Sequence, residues 1–420
     1  MDIIARTPET FDAILKKCKD FSKEFLKQRL EIYDLEIFSL VDRRRFEVIR
    51  IDERTILTTC GIVTFKRRYY YDHEYENYVY LLDNQLGIPK NARMSNELLL
   101  KILDLASIMT YSEVGKHLSD EFVLSKYTIW KAISETVVES FFNKEINRGN
   151  LKVHLQIDEK FINMSGHKKR NEKSTCKHKK RYYTVTIFAG KENGKLLNKT
   201  LISSANLENL KERANHILLT RYKVNFYEEI FVSGDYASYI QNFDESLYCR
   251  AKYVPDKFHT FKAIRDAIPD IFIDEWSIND HDCQQYLIKN MLHLKDDNVS
   301  KVRRAMRRNP KIFESYLDPE YLGCSQEAQN SHIYAPRFGK YANRFNPETI
   351  EKLSLVREAC SNNATIKVVN SRRIIEPILD LSYLPEYKIT LDKPLRDILD
   401  TTDMKKETRK MFNDIKYGLL

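Results

Sequence analysis

The sequence predicts an α/β protein built around a mixed β-sheet. Segments 151–164, 181–189 and 195–203 are rich in apolar and β-branched residues, which is typical of three successive strands. A helical pattern over 206–221 and a further strand over 229–233 follow. Three strands, then a helix, then a strand are typical of an α/β or α+β protein with a mixed sheet.

Length and charge limit the class of protein. A chain of 420 residues is expected to hold two or three domains. Its 42% hydrophobic and 31% charged residues are ordinary for a globular protein, and no apolar run reaches the roughly 18 residues of a membrane span. Lys and Arg exceed Asp and Glu by 69 to 60, and the net charge of +9 favours a polyanionic partner such as nucleic acid.

The cysteines predict a reducing environment. All seven are scattered, and no two have CxxC spacing. The N-terminus lacks the basic and then apolar pattern of a signal peptide. We therefore expect a cytoplasmic protein with free thiols, without a disulfide framework or a structural zinc site.

The N-terminal region is expected to be a helix followed by a small antiparallel β-unit. Apolar residues recur at three- and four-residue steps over 8–40, which indicates a helix that packs on a neighbour or on a partner chain. Strands are predicted over 46–51, 55–59 and 62–71. Basic residues between the tyrosines of these strands fit contact with nucleic acid and an ordinary solvated face equally well.

A helix-turn-helix-like pattern lies within the helical region 96–140. A short helix ends near Leu118, a polar break follows, and a second helix starts after Ser125, which can cap it. Lys126 and Lys131 would face outward from that second helix and contact DNA. A plain helical hairpin fits the same periodicity.

Two further basic segments are candidates for phosphate contact. The loop 168–181 contains eight Lys or Arg residues and one acid, and the mostly helical stretch 258–319 contains a basic face near residue 304. Such runs grip a phosphate backbone in some proteins and are merely solvated in others. The candidate DNA-binding residues here are Lys168, Lys169, Arg170, Lys179, Lys180, Arg181, Arg303 and Arg304.

Three acids occupy positions suited to metal-dependent chemistry. Asp158 lies within an apolar strand, Asp235 ends the strand 229–233, and Glu327 begins a short helix. An acid in an apolar strand is costly to bury without a compensating partner, and a divalent cation is such a partner. Three converging carboxylates can hold two Mg²⁺ or Mn²⁺ ions for phosphoryl transfer, although each acid alone is more commonly a cap or a surface residue.

Four sequence stretches carry a resemblance to a known family. They are 157–159 (IDE), 233–238 (SGDYAS), 256–264 (DKFHTFKAI) and 323–332 (GCSQEAQNSH). In their order and spacing the chain resembles bacterial insertion-sequence transposases of the DDE type. It is most similar to a group long labelled an uncharacterised protein family and related to the Mutator-like transposases.

That resemblance implies a ribonuclease-H-like mixed-sheet catalytic core with a helical insertion, preceded by a mainly helical DNA-binding region with a small β-unit. The implied boundaries are 1–95 for the first helix and β-unit, 96–148 for the helix-turn-helix-like region and 149–370 for the core. The insertion would span about 265–320, and 371–420 would form a C-terminal tail.

The resemblance also transfers roles to single residues. Asp158, Asp235 and Glu327 would be the catalytic metal ligands, with Mg²⁺ or Mn²⁺ as cofactor. His259 would reach the scissile phosphate or orient a carboxylate, although it could equally close a strand-to-helix turn. The roles of Asp256 and His332 stay open.

The implied function is that of a DNA transposase. It would act as a homodimer or higher oligomer on double-stranded DNA, namely the terminal inverted repeats of its element and a target, and would associate with the nucleoid when bound. Two alternatives remain: an inactive or repurposed DNA-binding protein, and a nuclease on the same core. The presence of all three acids in their motifs favours the enzyme.

Overall fold

The computed structural model describes residues 10–118, 122–142, 144–164, 179–339 and 345–370. Lys168, Lys169, Arg170 and the predicted C-terminal tail lie outside the described residues. None of the helices in the described ranges is both long enough and apolar enough to cross a membrane.

The N-terminal region consists of a long helix on a three-stranded antiparallel sheet. The helix is α1 (Phe11–Leu40), the strands are β1 (Phe46–Thr58), β2 (Gly61–Asp72) and β3 (Asn77–Val79), and a short helix α2 (Leu81–Gln85) follows. The charged dipeptide 52–53, which lies between the predicted strands 46–51 and 55–59, instead continues a single strand β1. Asp52 pairs opposite Arg67 and Glu53 opposite Lys66, and such opposite charges stabilise cross-strand pairs.

Three helices and an unexpected strand follow. The helices are α3 (Asn96–Ile108), α4 (Tyr111–His117) and α5 (Lys126–Ser134), and Ser125 caps α5 through a 3.1 Å bond from the Thr128 amide. The helix predicted to reach residue 140 ends at Ser134. Residues Thr136–Phe142 form β4, which pairs antiparallel with β12 (Ala364–Asn370). The partner strand lies more than 200 residues away in the sequence, so the local pattern does not reveal this pairing.

The centre of the protein is a mixed five-stranded sheet, as the sequence predicts. Strands β5 (Val153–Asn163) and β6 (Lys179–Ala189) are antiparallel. A small hairpin follows, made of the two-residue strands β7 (Lys191–Glu192) and β8 (Lys195–Leu196). Strand β9 (Thr200–Ser204) then pairs with β6. On the other side of β5 lie β10 (Glu229–Gly234) and β11 (Arg250–Pro255), both parallel to it. The strand order is β11-β10-β5-β6-β9.

Each face of this sheet has its own apolar core. Leu155 and Ile157 of β5 pack with the helices α6 (Leu207–Thr220) and α7 (Ser238–Gln241). On the other side, Phe231 and Val254 belong to a cluster with α8 (Lys257–Ala267), α9 (His281–Asn290) and α10 (Asp297–Arg308). These helices lie between β11 and the segment that carries Glu327.

The chain then returns to the sheet. Short helices α11 (Gln326–Gln329) and α12 (Ala335–Phe338) flank a π-helical turn, Asn330–Tyr334. The last helix, α13 (Pro347–Asn362), packs against α3, β4 and β9 and leads into β12. The two halves of the described chain are therefore joined through α13.

Candidate active site

Two of the three predicted acids lie side by side at one edge of the sheet, namely the end at which strand β10 finishes. β10 runs parallel to β5 with Ser233 opposite Gln156, so the next residues along each strand bring Asp235 beside Asp158. The strands can approach only because residue 234 is glycine. A Cβ atom there would lie 2.6 Å from the carbonyl oxygen of Ile157.

Burial makes Asp158 an unusual carboxylate. Its pKa is raised to about 6: loss of solvent is the largest cause and the neighbouring charge of Asp235 adds to it, whereas bonds from the Glu159 amide and Asn330 lower the pKa. Those two bonds measure 2.7 Å each. A buried acid beside a second acid is favoured in its ionised form only when positive charge is near. A cation at this position would therefore favour the ionised form of both acids.

Glu327 is held near this edge by a tether to β5. The Gln156 side chain donates a 2.7 Å hydrogen bond to the Gly323 carbonyl and accepts a 3.0 Å bond from the Ser325 amide. Gln156 lies two residues before Asp158, on the same face of the strand. The tether thus connects the strand of one predicted acid to the segment that leads to another. The Glu327 side chain itself is exposed.

A fourth acid and a histidine belong to the same edge. The Asp256 amide donates a 2.7 Å bond to the Gly234 carbonyl, and the Asp256 side chain caps α8 through the Phe258 amide at 2.9 Å. The Nε2 atom of His259 lies 3.7 Å from Asp256 Oδ2. Burial raises the pKa of Asp256, and the charge of Glu327 raises it further. His332, in contrast, is exposed.

The candidate ligands suit a hard divalent cation, but they do not form a complete coordination shell. Every candidate ligand offers carboxylate oxygen, which Mg²⁺ and Mn²⁺ prefer. Among the described residues, no three His, Cys, Asp or Glu side chains are gathered closely enough to hold one metal ion.

A polar network that the sequence analysis missed fixes Asp158. Asn330 donates to Asp158 Oδ2, and its own carbonyl oxygen accepts a 2.7 Å bond from the Thr184 hydroxyl. Gln326 donates to the same hydroxyl at 3.0 Å. Asn330 follows Glu327 by three residues and therefore shares its helix face. This spacing is visible in the sequence and could have identified Asn330 as a candidate site residue.

A basic groove opens beside Asp235. Its volume is about 750 Å³, and Asp235 and Glu159 lie in its wall. The cations that line it come from β6, β11, α10 and the segment after α10, and they are Arg181, Lys252, Lys301, Arg304, Arg308 and Lys311. The groove could receive a phosphate backbone next to the acids.

The predicted basic residues divide according to their surroundings. Arg304 lines the groove, whereas Arg303 donates bonds of 2.8 and 3.0 Å to the carbonyls of Met291 and Leu292 and so secures the end of α9. Arg181 and Lys180 are exposed on β6, and Arg181 Nε lies 3.3 Å from Glu159. Lys179 is the first residue of β6.

The helix-turn-helix-like pair lies away from these acids in the sequence but presents the predicted cations. Lys126 and Lys131 are exposed on α5, beside the rings of Tyr127 and Trp130, which lie 5.6 Å apart. Gly115 of α4 lies against the segment that precedes α5, since a Cβ atom there would lie 2.8 Å from the Leu124 carbonyl oxygen and 3.6 Å from the Ile129 side chain of α5. Exposed aromatic and basic side chains on a short helix suit a nucleic-acid surface.

Comparison with solved structures finds transposase complexes at low similarity. The chain matches the Drosophila P element transposase strand transfer complex with a TM-score of 0.26 and 10% identity, over 65% of this chain and 80% of that one. It matches the Mos1 transposase paired-end complex with left transposon end with a TM-score of 0.15 and 13% identity, over 56% of this chain and 82% of that one. Both TM-scores are below 0.5.

Similar proteins occur in Caldanaerobacter subterraneus subsp. tengcongensis. One UPF0236 protein of this organism is 23% identical over 384 residues, which is 85% of this chain and 80% of the relative. A second is 23% identical over 382 residues, or 85% of this chain and 79% of the relative, and its name combines eleven locus designations of that genome. The profile of the uncharacterised protein family UPF0236 matches residues 7–311, and the chain therefore belongs to that family.

Proposed function

We propose that the chain is the DNA transposase of an insertion sequence, which binds the ends of its element and catalyses metal-dependent DNA cleavage and strand transfer. The observation that carries this proposal is the parallel register of β5 and β10, which brings Asp158 of the central strand beside Asp235, the residue that follows β10. A three-stranded antiparallel unit followed by two parallel strands beyond its first strand is also the order of a ribonuclease-H-like core.

The names of the relatives support a gene that moves within a genome rather than a gene with a single cellular function. One relative's name covers eleven loci of a single genome, and another covers four. A gene that copies itself within a chromosome produces such sets, whereas a regulator or a repair nuclease has no need of them. Multiplicity therefore favours the transposase over the two alternatives.

In the proposed mechanism the chain's residues orient DNA and a metal pair. Asp158, Asp235 and Glu327 would hold the ions, which supply the charge that activates a water or a 3′-hydroxyl and stabilises the leaving oxygen. Asn330 keeps Asp158 in one orientation, and the cations of the groove neutralise the phosphate backbone beside Asp235. The exposed cations of α5 would bind the element ends.

The test uses the purified full chain and a supercoiled plasmid that carries its gene with native flanking DNA. We expect strand breaks at the element ends with Mg²⁺ or Mn²⁺, and joining of those ends to a second plasmid. Asp158→Asn, Asp235→Asn and Glu327→Gln should each abolish cleavage while DNA binding persists. Glu208→Gln, a matched change at an exposed site on α6, should leave cleavage unaltered.

Three results would refute the proposal. Cleavage that persists in all three variants would place the chemistry elsewhere. Binding to the flanking DNA without any metal-dependent cleavage by the wild type would identify a DNA-binding protein instead. Cleavage without a preference for the element ends would identify a nuclease.

A further inference from the structure

Helix α1 has two apolar faces, of which the fold uses one. Leu26, Leu30 and Ile37 point toward β1, β2 and α2, and Ile37 is fully buried. On the same side, the Arg68 amide donates to Asp34 and the Lys66 amide donates to Glu31. These contacts attach the second half of the helix to the sheet, and one amphipathic face would be sufficient for that purpose.

The second face forms an exposed seam with a seven-residue repeat. Counting from Phe11 as the first a position, the a residues are Phe11, Cys18, Phe25 and Ile32, and the d residues are Ile14, Phe21, Gln28 and Leu35. Among them Phe11 is 74% exposed and Leu35 is 52% exposed. Residues 14–20 are all exposed, so the first turns of the helix project from the sheet. Four such heptads are typical of a coiled coil.

We infer that this seam pairs with the α1 helix of a second copy of the chain and forms a two-stranded coiled-coil dimer. Knobs-into-holes packing needs a partner helix with the same period over the same length, about 45 Å for 30 residues. In the part of the chain that the structure describes, the next longest helix is α13, which has 16 residues and packs against α3 and β9. The α1 helix of another copy meets the requirement by symmetry.

The exposed area suffices for such a dimer. The six largest exposed apolar side chains on and beside the seam are Phe11, Ile14, Leu15, Phe25, Ile32 and Leu35. With about 200 Å² for a fully exposed aromatic side chain and somewhat less for Ile and Leu, they expose on the order of 500 Å² per helix. Two copies would bury on the order of 1,000 Å² of apolar surface, before flanking residues are counted, which reaches the size of a specific interface.

The experiment measures the mass of the full-length chain in solution by light scattering at micromolar concentration. We expect the wild type to have twice the mass of one chain. Phe25→Asp combined with Ile32→Asp should weaken the dimer by about tenfold or more, because each change puts a charge into the seam. Lys16→Asp, an equally exposed change that lies off the seam, should leave the mass unchanged.

A second pair keeps the test independent of folding. Phe11→Asp combined with Ile14→Asp alters only the projecting turns, so circular dichroism should show a folded protein while the dimer is lost, and the unfolding temperature should fall only by the contribution of the dimer. A monomeric wild type would overturn the inference, and so would a seam variant that stays folded and dimeric. Neither outcome depends on catalysis, so the inference stands or falls separately from the proposed function.

Discussion

Asn330 donates a 2.7 Å hydrogen bond from its side-chain amide to Oδ2 of Asp158 and thereby links the turn after α11 to the central strand of the sheet. The Thr184 hydroxyl fixes the orientation of that amide by donating to its carbonyl oxygen. The candidate metal ligand on β5 is thus positioned by a residue 172 positions later in the chain. Predictions about the site follow from this bond.

Replacement of Asn330 by alanine should impair cleavage without removing a ligand. The bond lowers the pKa of Asp158, so its loss should raise that pKa above about 6 and move the acid limb of the pH–rate profile to higher pH. We expect a loss of roughly 10- to 100-fold in rate, as for other residues that orient metal ligands. Asn298→Ala, at an exposed position on α10, is the control. An unchanged pH–rate profile would contradict the positioning role.

Asp158 should make the metal-free protein less stable as the pH rises. Its pKa is about 6 in the folded chain and about 4 in an unfolded one, so between these values the folded state holds a proton that the unfolded state has lost. Stability from this residue is therefore present below about pH 4 and is lost as the pH approaches about 6.

The comparison of Asp158→Asn with the wild type tests this sign. In a chelator, the variant should unfold at a higher temperature than the wild type at neutral pH, and the advantage should shrink in acid. Asp282→Asn, whose side chain is 98% exposed, should show no such trend. An equal shift in unfolding temperature at both pH values would mean that burial does not raise the pKa of Asp158.

Gly234→Ala should destabilise the sheet at the site. The added methyl group would lie 2.6 Å from the Ile157 carbonyl oxygen and 2.7 Å from Ile240, and neither the strand backbone nor the buried Ile240 side chain can move freely. We expect a loss of about 1–3 kcal/mol in the free energy of unfolding by denaturant titration. Ser238→Ala, at a nearby exposed position, should cost little. A variant as stable as the wild type would show that β5 and β10 do not approach so closely.

Arg303 and Arg304 offer a matched pair because they are adjacent and carry the same charge. Arg304→Gln should weaken DNA binding for all sequences and reduce the slope of its salt dependence by about one. Arg303→Gln should instead lower stability by about 1–2 kcal/mol, since it removes two bonds to the end of α9. DNA affinity measured at several salt concentrations reports the first effect, and denaturant unfolding reports the second. An equal loss of DNA affinity in both variants would mean that the groove makes no specific contribution to DNA binding.

The sequence by itself determined the mixed sheet, the cap of α5 and the positions of the three acids within their elements. These features depend on local patterns: β-branched runs, helical periodicity, and polar residues at the ends of strands. The strand β11 and the helix α13 were not predicted. The strand β4 was predicted as helix, since its hydrogen-bonding partner β12 is distant in the chain.

Only the tertiary structure decided which residues surround the acids. Adjacent arginines with the same local pattern acquired different surroundings, because the C-terminal end of α9 reaches Arg303 and the groove reaches Arg304. Asp158, Thr184 and Asn330 come together from three separate elements, and no local pattern relates them. Side-chain neighbours are a property of packing between distant segments, and a linear pattern does not contain them.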